Sequence, residues 1–205
     1  MKKKRYTRIP QQDRSKDTKQ KIIDAGLQLF SEKGFYKTNS KEITKAAKVS
    51  TGSFYAYFKD KRELFLAIVM DYHHKIRDVI HNINPDAFVR SKKEKEFIPH
   101  LIDKLIEAHN IYPKFHQELM AMSQSDPEII KINEISNLES IEFSKRILSN
   151  WKSNLRIKDI PAAAVIIQKS IEEIIHTIIF SEIEVDKERL INELTDMLNR
   201  YLFEH

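Results

Sequence analysis

Between Ser50 and Lys61 the chain sets hydroxyls on Ser50, Thr51 and Ser53, phenols on Tyr55 and Tyr57, and ammonium groups on Lys59 and Lys61. Such groups exchange hydrogen bonds with phosphate and base edges and neutralise backbone charge, and a tyrosine adds a flat apolar face for a thymine methyl or a sugar. Gly52 and the small hydroxyl residues also allow a helix N-terminus, with its N–H groups and positive dipole end, to come close to a polyanion. Four rings crowd the same stretch, and helical spacing divides them. Phe54 and Phe58, at i and i+4, are predicted to bury against a preceding helix, while Tyr55 and Tyr57 look outward.

The elements that must hold these groups are helices. Apolar residues recur at helical spacing between proline and polar breaks, no strand-like alternation occurs, and the three glycines, Gly26, Gly34 and Gly52, all fall in the first quarter of the 205 residues. An all-α chain of about nine helices is expected. A first helix is predicted from Lys16 to a C-cap at Gly34, a second from an N-cap at Ser40 to Ala47, and a third from Thr51 to Phe58. A fourth is capped by Asp60, with Glu63 three positions on. Two short helices joined by a tight turn and braced by a third make a helix-turn-helix, whose second helix enters the DNA major groove. After a loop over Asn84-Pro85-Asp86 and the charged run that follows, longer helices are expected to open near Phe97, with Pro99 in the first turn, and at Pro113, Pro127, Pro161 and Asp186.

Residues 1–62 carry 17 Lys and Arg against 6 Asp and Glu, a net charge of +11, whereas the remainder nets −6. A basic first segment suits a polyanionic partner. The expected organisation is a basic arm over residues 1–15, a helix-turn-helix DNA-binding domain over 16–62 and a helical regulatory and dimerisation domain over 63–205. Cysteine is absent, so thiolate zinc sites, disulfides and cysteine nucleophiles are excluded, and no 18-residue apolar run occurs. The chain is expected to be cytoplasmic, without membrane attachment and without a cofactor. No GxSxG, Walker A or paired-carboxylate signature appears, so an enzyme is not expected. His73 and His74 are adjacent and do not share a helix face, HExxH is absent, and no metal is expected.

Residues 17–64, above all KEITKAAKVSTGSFYAYFKDKREL, resemble the N-terminal DNA-binding domain of TetR-type transcriptional repressors. Phe30 to Phe35 match the phrase that closes the family's first helix, and Lys48 stands where the family most often has a turn glycine. The resemblance places Asn39, Ser40 and Lys41 where the second helix meets the DNA backbone, and Thr51, Gly52, Ser53, Tyr55 and Tyr57 where the recognition helix meets DNA. Lys61 stands where the fourth helix touches phosphate, and Lys48 would add charge nearby.

The resemblance also implies a homodimer on an inverted-repeat DNA operator, released by a small molecule, expected to be hydrophobic, held among the middle helices. Candidate pocket residues are Tyr72, Leu101, Leu105, His109, Phe115, Leu119, Met122 and Phe143. The last two helices carry Ile167, Ile171, Ile174, Ile178, Leu194, Leu198 and Tyr201, a surface that reads equally as intramolecular core and that the resemblance assigns to the dimer interface. The alternative is a DNA-organising or protein-interaction module of the same fold with no effector.

Overall fold

A computed structural model describes residues 11–90 and 93–203. Among these, ten α-helices occur: α1 (Gln11–Lys33), α2 (Ser40–Ala46), α3 (Thr51–Tyr57), α4 (Lys61–His81), α5 (Pro85–Arg90), α6 (Glu94–His109), α7 (Pro113–Met122), α8 (Pro127–Asn150), α9 (Ile160–Phe180) and α10 (Lys187–Leu202). A single 3-10 turn, Lys152–Asn154, follows α8. No described helix is long and apolar enough to cross a membrane. The chain forms two compact units, the first running to Met70 and the second starting at Asp71. The division falls within α4 rather than at residues 62/63, because Leu64, Phe65, Ile68 and Val69 of α4 are buried in the first unit's core.

In the first unit, Ile22, Phe30, Ile43, Phe54, Phe58, Leu64 and Phe65 are buried, and the Phe65 ring meets those of Phe30 and Phe35 edge-on, each at 5.1 Å between centroids. The helix ends follow local chemistry. Gly34 closes α1 at φ 79, donating its N–H to Phe30 O at 3.0 Å. Asn39 rather than Ser40 caps α2, its side chain accepting from Glu42 N at 3.0 Å, which leaves Ser40 as the first helical residue. Ser50 caps α3 by accepting from Ser53 N at 3.0 Å. At the start of α4, Asp60 accepts from Glu63 N at 2.8 Å, and the Glu63 carboxylate reaches past the cap to accept from Lys59 N, a variant of the capping-box exchange in which the bond goes to the residue before the cap. The expected arm is helical over residues 11–15, and its first ten residues lie outside the described part of the chain. No Gly or Pro separates Gln11 from Lys16, and Lys21 pairs with Asp17 one turn back at 2.6 Å.

The second unit is a bundle whose core includes Phe97, Ile102, Trp151, Ile167, Ile171, Ile175 and Leu198, with the Phe97 and Trp151 rings edge-on at 4.8 Å. Asp126, Asp159 and Asp186 cap α8, α9 and α10 through backbone N–H groups of each first turn, worth about 1 kcal/mol apiece. The stretch expected as a loop at Asn84-Pro85-Asp86 is instead the start of α5, with Pro85 as its first helical residue, where its missing N–H is harmless. Helix α6 starts three residues before Phe97, so Pro99 lies inside it. The missing N–H leaves the Lys95 carbonyl without its i+4 donor, and the Asn199 amide donates to that oxygen at 3.1 Å.

The candidate interface residues divide. Ile167, Ile171, Leu194 and Leu198 are 1–5% exposed and belong to the chain's own core, while Ile174 and Ile178 are partly buried against it. Their spacing faces inward because the broad apolar side of each helix is what the bundle covers. The exposed apolar residues of the same helices are Val165 and Ile166 on α9 and Met197 and Tyr201 on α10.

Gly26 of α1 packs directly against side chains of α4. A Cβ built there would lie 2.7 Å from Leu64 Cδ2 and 3.2 Å from Ile68 Cδ1. Gly26→Val is expected to destabilise the first unit by about 1–3 kcal/mol through overpacking. Gly26→Ala is expected to be milder, because a gain of about 1 kcal/mol in helix propensity offsets part of the clash. Urea unfolding of the two variants checks the order.

Candidate functional site

Residues Thr51, Gly52, Tyr55 and Ala56 are all exposed and recur at i, i+1, i+4 and i+5, which places them on one stripe along α3; Lys59, also exposed, follows after Phe58 has turned to an extended conformation. The opposite stripe is Phe54, 0% exposed, and Phe58, 3% exposed. Tyr55 projects from the middle of the outer stripe and is 55% exposed. Tyr57 is not on it. Its ring is half-buried and its hydroxyl lies 3.0 Å from Ser15 Oγ on α1, so this phenol braces the first helix instead of facing outward. Ser53 is half-buried too, with its hydroxyl 2.8 Å from that of Ser50.

Around this stripe, Lys41 and Lys48 are exposed, and the Asn39 side chain is engaged as a cap. Lys48 adopts φ 54. It donates to Lys45 O at 3.2 Å and Val49 donates to Thr44 O at 3.0 Å, so Lys48 occupies the left-handed position that ends α2, where glycine is usual. Lys61 differs from the expectation. Its Nζ donates to Thr38 O at 2.7 Å and Phe35 O at 2.8 Å, with Tyr36 O at 3.4 Å, and sits 4.4 Å from the Phe35 ring centre. The ammonium therefore ties the α1–α2 loop together rather than standing ready for phosphate. Sequence reasoning passed over Tyr36, which is 78% exposed on that loop; its position after the Gly34 stop was the available signal.

The second unit contains a cavity of about 400 Å³. Of the eight candidate pocket residues, Tyr72, Leu105, His109 and Leu119 line it. Leu101 and Phe143 instead border, with Leu105, a separate apolar cleft of about 40 Å³. Phe115 and Met122 are buried and line neither, since their sides of α7 pack into the core. The larger cavity is mixed in character. Ile76, Ile80, Ile171 and Ile175 supply apolar wall, while His73, His116, Asn133, Asn137, Glu172 and His176 supply polar groups. A wholly apolar occupant would leave the polar groups of that wall unpaired, whereas a hydrophobic molecule that also carries a polar group would not.

Three buried polar atoms on lining residues have no hydrogen-bond partner: Tyr72 OH, His116 Nδ1 and Asn137 Oδ1. Burial raises the Tyr72 phenol above its ordinary value. Burial also lowers His109 to about 4 and His116 to about 2, the latter helped by neighbouring histidines, and lowers His73 and His176. The imidazoles are thus neutral near pH 7. His109, His116 and His176 come together from α6, α7 and α9, although sequence reading gave no metal-ligand spacing for them.

Comparison with known proteins decides the family. Residues 22–68 match the family described as "Bacterial regulatory proteins, tetR family", and residues 95–202, more than half of the chain, match "Tetracyclin repressor-like, C-terminal domain". The chain belongs to the tetR family of bacterial regulatory proteins. Within that family it is 46% identical over 54 residues to the HTH-type transcriptional regulator AcrR of Shigella flexneri, covering 26% of this chain and 25% of AcrR. The matched stretch thus spans about a quarter of the length of such curated relatives. A longer match, 27% identical over 185 residues, covers 86% of this chain and 91% of the fatty acid metabolism regulator protein of Bacillus subtilis (strain 168). In fold, this TetR-family chain is similar to SmeT in a triclosan complex, with a TM-score of 0.67 and 18% identity over 91% of this chain and 92% of that one.

Lys61→Met keeps the aliphatic stem and removes the donors to three loop carbonyls. It is expected to lower stability by about 2 kcal/mol, the scale of lost charged hydrogen bonds. Urea melts, with amide exchange localising the loss to residues 34–39, check it.

Proposed function

We propose that this TetR-family regulator reads an inverted-repeat DNA operator as a homodimer through the outer stripe of α3, and represses transcription until a small molecule enters the cavity of the second unit. The observation that carries the reading is the partition of the α3 rings. Phe54 and Phe58 are buried, which leaves Tyr55 outward beside Thr51, Gly52 and Ala56. A tyrosine there makes apolar and hydrogen-bonding contact with base edges, while Lys41, Lys48 and Lys59 meet phosphate. Lys61 acts indirectly, by holding the loop that precedes α2.

A single α3 stripe buries too little surface to pick out one site, and two-fold symmetry doubles the contacts. Val165, Ile166, Met197 and Tyr201 are the apolar groups that α9 and α10 leave exposed, and they support a partner surface there. The effector reading rests on the cavity. An amphipathic small molecule, with an apolar body against Ile76, Ile80 and Ile171 and a polar group among the histidines and asparagines, suits its wall. Tyr72, His73 and Ile76 lie on α4, the same continuous helix whose earlier turns supply Leu64, Phe65 and Ile68 to the first unit. Movement of that helix is the proposed route from occupant to DNA.

Binding to an inverted-repeat duplex against a scrambled one, at one salt concentration, tests the reading. Tyr55→Ala is expected to lose about tenfold or more on the operator while barely changing affinity for scrambled DNA. Lys59→Ala is expected to weaken both and to reduce the slope of log affinity against log salt by about one. Equal effects of the two substitutions on operator and scrambled duplex would remove the assigned roles.

The dimer surface has its own test. Ile166→Asp is expected to give a folded monomer in sedimentation, since Ile166 is 50% exposed. Ile167→Asp, one residue on, is expected to unfold the second unit.

A further inference from the structure

We propose that His109, His116 and His176 form a binding site for a divalent first-row transition-metal ion, Zn2+ foremost, on the wall of the second unit's cavity. The site does not depend on the DNA-binding reading and would stand if that reading failed.

The geometry of the rings carries the proposal. One nitrogen from each histidine lies within 4.8 Å of those of the other two. The ring centres are 5.2 Å apart for His109 and His116, 5.6 Å for His109 and His176, and 5.1 Å for His116 and His176. Three imidazoles on one tetrahedral ion, each with a metal–nitrogen length of about 2.0–2.1 Å, place their ring centres about 5 Å apart. The rings are also inclined to one another, at 44°, 64° and 73°, rather than stacked. The centres therefore already stand where an ion needs them. Closing the nitrogens to the separation of about 3.4 Å found around a tetrahedral ion takes ring rotation about χ2, a torsion with broad wells in histidine.

The surroundings fit a ligand role. His109 Nδ1 lies 2.8 Å from Leu105 O, and the donating tautomer leaves Nε2 with its lone pair. A backbone carbonyl in that position fixes and orients a ligating imidazole. The His116 ring is held edge-on by Phe180 at 4.7 Å and packs against Tyr72 at 5.1 Å, while its Nδ1 is buried with no partner. Three different helices supply the ligands, so an ion would join α6, α7 and α9.

The donor set selects the ion. Three neutral imidazoles favour Zn2+ and its neighbours and give Mg2+ or Ca2+, which require oxygen cages, little purchase. All three histidines line the cavity, so the fourth coordination position opens onto a space of about 400 Å³ that admits water. Three protein ligands with one open position is the arrangement of non-structural zinc sites. Glu172, on the same wall and paired with Lys169 at 3.1 Å, adds a nearby negative charge.

The test uses the full chain without an affinity tag, stripped with chelator and titrated with Co2+. A saturable visible absorption of tetrahedral intensity at one ion per chain, displaced by Zn2+ and not by Mg2+, is expected. His176→Gln, at the partly buried corner of the triad, is expected to weaken Co2+ binding by more than about tenfold with the helical circular dichroism unchanged. His74→Gln, at an exposed histidine outside the triad, is expected to bind as the parent does. Absence of a saturable tetrahedral spectrum would overturn the proposal, as would equal binding by the His176→Gln and parent proteins.

Discussion

The rotational setting of α3 is the constraint on which the proposed DNA-facing chemistry depends. A seven-residue helix has little stability of its own, because nucleation is costly and few hydrogen bonds follow it. Burying two phenylalanines one turn apart both stabilises the helix and fixes its rotation about its axis. Once Phe54 and Phe58 are inside, Tyr55 has only the outside. A polar residue at either phenylalanine position would thus disturb the reading surface without touching it.

A second balance operates in the bundle. Its core is otherwise apolar, yet one cavity gathers several imidazoles, two asparagine side chains and a buried phenol, and leaves three polar atoms without partners. Each such group needs a hydrogen-bond partner from whatever fills the cavity, water in the free protein or a ligand in its place. A ligand that pairs them better than water does gains affinity from the exchange. The burial that keeps the imidazoles uncharged serves the same end, since a neutral ring can accept from a ligand or bind a metal ion.

Much of the fold was legible in local sequence because local physics fixes it. Prolines at 113 and 127 stand at first helical positions, Gly34 ends α1 in the left-handed region, and Asp60 caps α4 through Glu63 N. Misreadings arose where a distant residue decides the outcome. Pro99 sits inside α6 because Asn199, a hundred residues on, bonds the carbonyl that the proline leaves free. Lys61 binds loop carbonyls brought to it by the packing of α1 against α4. Helical periodicity showed which sides of α9 and α10 are apolar, but not that the chain's own bundle covers the centre of each side and leaves only its margin. The histidine triad was out of reach for the same reason: His109 and His176 lie on separate helices, and no spacing rule joins them.

Lys48 shows how function constrains this economy. A lysine in the left-handed region costs about 1–2 kcal/mol relative to an unstrained conformation, and glycine would relieve it. A single position in the turn thus carries both backbone strain and surface charge. The strain is tolerable because two backbone hydrogen bonds, Lys48 to Lys45 and Val49 to Thr44, define the end of α2, and Ala47 beside it is buried. What the lysine adds is a cation between the two helices of the motif, in the segment whose net charge is positive while the remainder of the chain nets negative. A stabler turn was available with glycine, and the residue found there instead carries an exposed positive charge, which is the choice expected if this turn meets the polyanion that the proposed reading gives to Tyr55.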